Sequence, residues 1–146
     1  MSGGGQLYSR PMNEDSRAAD AAYFSDLTDG ADFFLLRHGE SEGNARLIIQ
    51  GTLDLPLTGR GEAQAAAAGE WLATKGVIRI LTSPLSRALR TAQIIADRAR
   101  LPAPEPDPVF TELDTGAFTG LDMDGIRERH PEAYAEFLWR SWDAVP

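Results

Sequence analysis

Apolar and polar positions along the chain follow two different periods. Asp32 leads into the unbroken apolar run Phe33–Leu36, which Arg37, His38, Gly39 and Glu40 stop abruptly. A short continuous apolar run ended by charge and glycine predicts a buried strand followed by a sharp turn. After a loop through Pro56, Thr58 is placed to cap an alanine-rich helix that Gly76 closes. The β-rich run Val77–Leu81 predicts a second strand. Ser83-Pro84 then offers a capping hydroxyl followed by proline, which suits the first position of a helix. In that helix Leu85, Leu89, Ala92 and Ile95 fall on one apolar stripe. Prolines break the next stretch, leaving a short strand at Val109–Phe110. "ELDTGAFTGLD" is a glycine-punctuated loop, and the remainder predicts a helix interrupted near Pro131. Strand, helix, strand, helix in alternation implies an α/β layered fold with a mostly parallel sheet.

Residues 1–30 break this pattern. They mix glycine, proline and charge without periodicity, which predicts a flexible extension, with a short helix in "SRAADAAYFSDL". The expected domain occupies residues 31–146, and 146 residues suffice for one domain with a sizeable core. The absence of cysteine excludes disulfides and thiolate metal sites. A formal net charge of −8 without a basic stripe argues against nucleic-acid binding. No apolar run approaches a membrane span and no secretory signal is evident, so the expected location is cytoplasmic.

Charge does not forbid an anionic substrate where arginines cluster in one cleft. In open α/β sheets ligands bind beyond the carboxyl ends of the strands. The first predicted strand ends on Arg37 and His38; the second leads through Thr82 and Ser83 to Arg87, beside a helix N-terminus with free N–H groups. A histidine between two arginines suits a phosphoryl group, whose oxygens the guanidinium forks neutralise as phosphorus is attacked. Neutral histidine is a competent nucleophile when its other ring nitrogen is fixed by a hydrogen bond. Glu112, after the third predicted strand, is the carboxyl placed to protonate the leaving oxygen.

Four segments in order, "LLRHGESEGN", "GTLDLPLTGRGEAQA", "TSPLSRALRTA" and "ELDTGAFTGL", resemble the histidine phosphatase superfamily. That superfamily contains the cofactor-dependent phosphoglycerate mutases and related phosphatases. The resemblance runs from Phe34 to the end of the chain. It implies a three-layer α/β/α sandwich with a mostly parallel sheet, phosphoglycerate mutase-like. By position, His38 matches the histidine that becomes phosphorylated, and Arg37 and Arg87 the phosphate-binding arginines. Asn44 matches a phosphate-pocket asparagine, Gln50 and Gly51 a substrate loop, and Glu112 the proton donor. The resemblance implies a small phosphorylated substrate and no metal or other cofactor for the phosphoryl step.

One departure from the family pattern stands out. A second histidine, in a late "SHGG" motif, is missing, since the chain holds only His38 and His130. The expectation is therefore a member whose C-terminal part is missing, impaired in catalysis and prone to dimerise through an open sheet edge. Glycine at position 43, where the mutases have tryptophan, and a compact segment after Glu112 favour phosphomonoester hydrolysis through a phosphohistidine. The alternatives are a phosphoglycerate mutase and a non-catalytic phosphate-binding remnant. His130 and Arg90 are expected on solvated faces. Trp71, Trp139 and Trp142 are expected to cover the core.

Overall fold

The computed structural model describes residues 32–136. The chain divides between Leu35 and Leu36 into two units, and Asp32–Leu35 is the described part of the first. The expected N-terminal extension and its helix, together with Trp139 and Trp142, lie outside the described residues.

Residues 32–40 are assigned to no strand, which corrects the expectation for Phe33–Leu36. An apolar run becomes a buried strand only where a neighbour covers its side chains. Here Leu35 is 99% exposed. The turn after His38 is nevertheless held firmly. Glu42 and Thr58 donate their amides to Pro56 and Glu40 carbonyls, both at 2.9 Å, beside an antiparallel bridge between Ser41 and Leu57. Gly39 and Gly61 approach so closely that a Cβ on either would strike the other's neighbourhood, at the Gly61 carbonyl or at Glu40. Only glycine fits there.

Helix α1 (Glu42–Ala45) was not expected; Ser41 and Asn44 form a reciprocal capping box at its start. Helix α2 (Gly59–Leu72) begins as the sequence predicts, with the Thr58 hydroxyl accepting from the Gly61 amide at 3.1 Å. Turns follow it to Gly76, whose φ of +69° suits glycine. Helix α3 (Ser86–Ala99) packs against α2 through buried Ala65 and Leu72 on one side and Ala92, Ile95 and Ala96 on the other. Small side chains at the contact let the two backbones come close. Arg90 stays on the solvated face expected for it, paired with Glu62 at 2.8 Å. Trp71 does not cover the core. It is half exposed, with the Lys75 ammonium 4.6 Å from its ring centre.

The strands are shorter than predicted and one is displaced. Leu81–Thr82 (β1) pairs in parallel with Glu105–Pro106 (β2). Proline is tolerated in β2 because a parallel strand donates from alternate residues. Glu105 and Asp107 donate to Ile80 and Thr82, and Pro106 lies between them. The strand expected at Val109–Phe110 is instead a 3₁₀ turn, Pro108–Phe110, because the Asp107 carboxylate accepts from the Val109 amide at 2.8 Å and starts the turn. Helix α4 (Met123–Arg129) ends at His130, and residues 131–136 are again helical, matching the predicted interruption. His130 is partly covered by the Phe118 ring, edge-on at 5.6 Å.

Candidate active site

His38 is held from both ring nitrogens, and the two partners demand the same protonation state. Nδ1 lies 2.7 Å from the Gly39 carbonyl oxygen, which only accepts. Nε2 lies 3.2 Å from Arg87 Nε, which only donates. The ring therefore carries its proton on Nδ1 and turns the Nε2 lone pair toward the guanidinium. A second proton on Nε2 would face an N–H head on. Burial chiefly lowers the pKa of His38 below the usual 6.5; the Gly39 bond opposes this, Arg87 and Arg37 add to it, and Glu112 opposes it. The imidazole is thus neutral near neutral pH.

Arg87 is 3% exposed and sits in the first turn of α3. Its Nη1 and Nη2 donate to the carbonyls of Leu53 and Gly51 at 2.9 and 2.8 Å. Among the described residues no carboxylate pairs with it, so its partners are two carbonyls and a neutral imidazole. A buried cation with neutral partners only is costly and favours an incoming anion. Arg37 is exposed, makes no hydrogen bond or ion pair among the described residues, and adds to the same positive field at His38.

Gly51 carries a φ of +49°, and a Cβ there would lie 2.5 Å from Thr115 Oγ1. Its bare backbone lets the 50–54 loop receive Arg87 on one side and the 113–115 segment on the other. Gln50 and Asn44 meet at the wholly buried Ser41. Ser41 Oγ lies 2.9 Å from both Asn44 Oδ1 and Gln50 Oε1, and its single proton serves one of them at a time. Asn44 Oδ1 also accepts from the Ser41 amide at 3.0 Å. The structure thus brings His38, Arg87 and Gly51 into direct contact and joins Asn44 to Gln50 through Ser41. It leaves Glu112 exposed, with Oε1 accepting from the Leu113 amide at 3.0 Å, near enough to act on His38 only through its charge.

The start of α3 differs from the prediction. Ser83 Oγ accepts from Leu85 at 3.3 Å, but the helix begins at Ser86, and Leu85 supplies no capping side chain. Asp54 takes that place from 32 residues away. Its Oδ1 accepts from the Ser86 amide at 2.8 Å and the Ser86 hydroxyl at 2.7 Å. A carboxylate outcompetes a hydroxyl for a helix N-terminus because the bond is charge-assisted. The amide end expected to face a phosphate is thus filled by the protein's own anion. Asp54, Ser41 and Thr91 are the site-forming residues that sequence reasoning missed. All three lie inside segments that carry the family resemblance, Ser41 in "LLRHGESEGN", Asp54 in "GTLDLPLTGRGEAQA" and Thr91 in "TSPLSRALRTA", but none matches a position to which that resemblance gave a role.

Residues 33–146 match the model of the histidine phosphatase superfamily, branch 1. The chain belongs to this family. It is 41% identical over 98 residues to the uncharacterised phosphatase PhoE of Bacillus subtilis, covering 67% of this chain and 50% of that one. It is 42% identical over 95 residues to a probable phosphoglycerate mutase, GpmB, of Klebsiella pneumoniae, covering 65% and 44%. A mycobacterial glucosyl-3-phosphoglycerate phosphatase, solved in complex with vanadate, superposes with a TM-score of 0.65 at 34% identity, over 72% of this chain and 49% of that one. The chain spans about half the length of the curated relatives it matches. The α/β fold inferred from the alternating pattern is the fold of these histidine phosphatases. Among the described residues no helix is long and apolar enough to cross a membrane, and no cluster of three His, Asp or Glu side chains is arranged to hold a metal ion.

Proposed function

We propose that this is a phosphomonoester hydrolase of the cytoplasm that passes the phosphoryl group of a small substrate through His38. The observation that carries the reading is the pair of bonds on the imidazole, Nδ1–H to the Gly39 carbonyl and Nε2 to Arg87. They leave a neutral ring whose one available lone pair points at a buried cation. In the proposed reaction the substrate's phosphoryl oxygens enter between Arg37 and Arg87 and draw the Arg87 Nε–H off Nε2. The freed lone pair attacks phosphorus while the ester oxygen departs with its electron pair. Glu112, its carboxyl turned from the Leu113 amide toward the cleft, gives that oxygen a proton. Water then attacks the phosphohistidine, returns the proton to Glu112 and releases phosphate. Asn44 and Gln50 hold the loop side of the phosphate pocket, and Gly51 gives the substrate access to backbone.

The likeness to GpmB favours a second reading, in which a sugar acid rather than water accepts the phosphoryl group. Incubation of the chain with an aryl phosphate, with and without a glycerate acceptor, tests both. Stoichiometric release of inorganic phosphate in either case supports hydrolysis. Transfer to the acceptor in preference to water would replace it with the mutase reading, and no turnover at all would leave a phosphate-binding protein.

A further inference from the structure

Thr91 lies in the "TSPLSRALRTA" segment but takes no part in the chemistry proposed above. It is 6% exposed, one turn beyond Arg87 on α3. Its Oγ1 donates to the Arg87 carbonyl at 2.7 Å and accepts from the Gly39 amide at 3.1 Å. A hydroxyl with one proton and two lone pairs makes both bonds at once. The first is common for a helical threonine and only satisfies the side chain within its own helix. The second is different. It crosses 52 positions of sequence to the residue directly after His38.

We propose that Thr91 is a positioning residue that sets the tautomer and the line of attack of His38 by clamping the 38–40 turn to α3. The inference rests on His38 being the phosphoryl acceptor. One oxygen atom joins the backbone of Arg87 to that of Gly39, and Gly39 supplies the carbonyl that receives His38 Nδ1–H. The distance between Nε2 and the Arg87 guanidinium is thereby fixed from both ends. Without the hydroxyl, the buried Gly39 amide has no acceptor and its peptide turns to find one. Glycine offers little resistance to that rotation. The Nδ1–H···O bond then loosens and the ring shifts against Arg87, whose Nε–H is left as the one remaining restraint on the tautomer.

Two-bond ¹⁵N–¹H spectra of His38 in the full 146-residue chain read the tautomer directly, alongside steady-state hydrolysis of an aryl phosphate. Wild type and Thr91→Ser should show a single Nδ1–H form and similar kcat. In Thr91→Val, Nε2–H should appear and kcat should fall by about a hundredfold with little change in KM, the loss expected of a misplaced reacting group. A Thr91→Val protein with wild-type tautomer and kcat overturns the proposal, as does a folded Thr91→Ser with the valine phenotype. Should Thr91→Val not fold, Thr91→Ala removes the same hydroxyl without the added methyl bulk. Loss of folding in both variants shows a purely structural role and also overturns it. If wild type itself hydrolyses nothing, the function proposed above fails, while the tautomer comparison still decides the role of Thr91.

Discussion

The two halves of the candidate site are built by different means. Around His38, the fixing bonds span long stretches of sequence: Thr91 to Gly39, Arg87 to Gly51 and Leu53, Asp54 to Ser86. Most of the side chains involved are buried or half-buried. Around Glu112, side-chain bonds reach four residues at most: Glu112 to Leu113, Asp114 to Gly116, Thr115 to Thr119. That segment is mainly exposed and is tied to the 49–51 loop by the backbone pairing of Ile49 with Gly120 and Leu121. Long-range bonds to a packed helix hold geometry to a few tenths of an ångström, as phosphoryl transfer requires of nucleophile and clamp. Local bonds hold a loop's shape but not its place. Under the proposed mechanism, the nucleophile half is organised before substrate arrives and the acid half is completed by it.

Substitutions should expose this asymmetry. The largest effect is expected from Arg87→Lys. Lysine cannot hold two carbonyls and an imidazole with one ammonium, so both the loop and the anion site fail. Turnover of an aryl phosphate should drop by about 10³ and phosphate should bind weakly, a loss comparable to removing a transition-state hydrogen-bond donor. Phosphate binding as tight as wild type, measured by calorimetry, would remove Arg87 from the clamp. Glu112→Gln should be selective instead. Hydrolysis of alkyl phosphates, whose leaving groups need a proton, should fall by about a hundredfold, and that of aryl phosphates only a few-fold. An equal loss on both would mean that Glu112 is not the acid.

Smaller effects test the latch and the imidazole. Asp54→Ala deprives the N-terminus of α3 of its cap and should cost about 1 kcal/mol of stability, seen as a lower Tm, with a modest rise in KM. Asp54→Asn keeps the acceptor and should lose less; the reverse order would contradict capping. For pH, His38 binds its proton less readily in the folded than in the unfolded chain, so folding gains as pH rises. Its contribution is complete above about 6.5 and fades as pH falls toward the lowered value. Urea midpoints compared with those of His38→Gln between pH 5 and 8 should diverge only at the acid end. Divergence at the alkaline end would reverse the sign of the shift.

Much of this arrangement was legible in the residues, and the failures share a cause. The helix starting after Thr58 and the interruption at His130 follow from capping and proline rules that act over a few residues. Asp54 at the start of α3 and Thr91 against Gly39 depend on partners 32 and 52 positions away, for which local pattern has no signal. A hydroxyl inside a helix is a weak helix former, and nothing in its spacing reveals a second bond. The strand expected at Phe33–Leu36 failed for the same reason, since burial of such a run is decided by a neighbour and not by the run itself, and Leu35 stays exposed. At Val109–Phe110 a local feature, the Asp107 side chain with Pro108, won over β propensity.

The central claim is that Nε2 of His38 accepts the phosphoryl group. Rapid acid-free quenching of the chain with a ³²P-labelled aryl phosphate, followed by peptide mapping and phosphohistidine isomer analysis, tests it most directly. The account predicts a base-stable, acid-labile label on His38, at Nε2, and none in His38→Ala. A label that survives His38→Ala, or one carried on Nδ1, would contradict it.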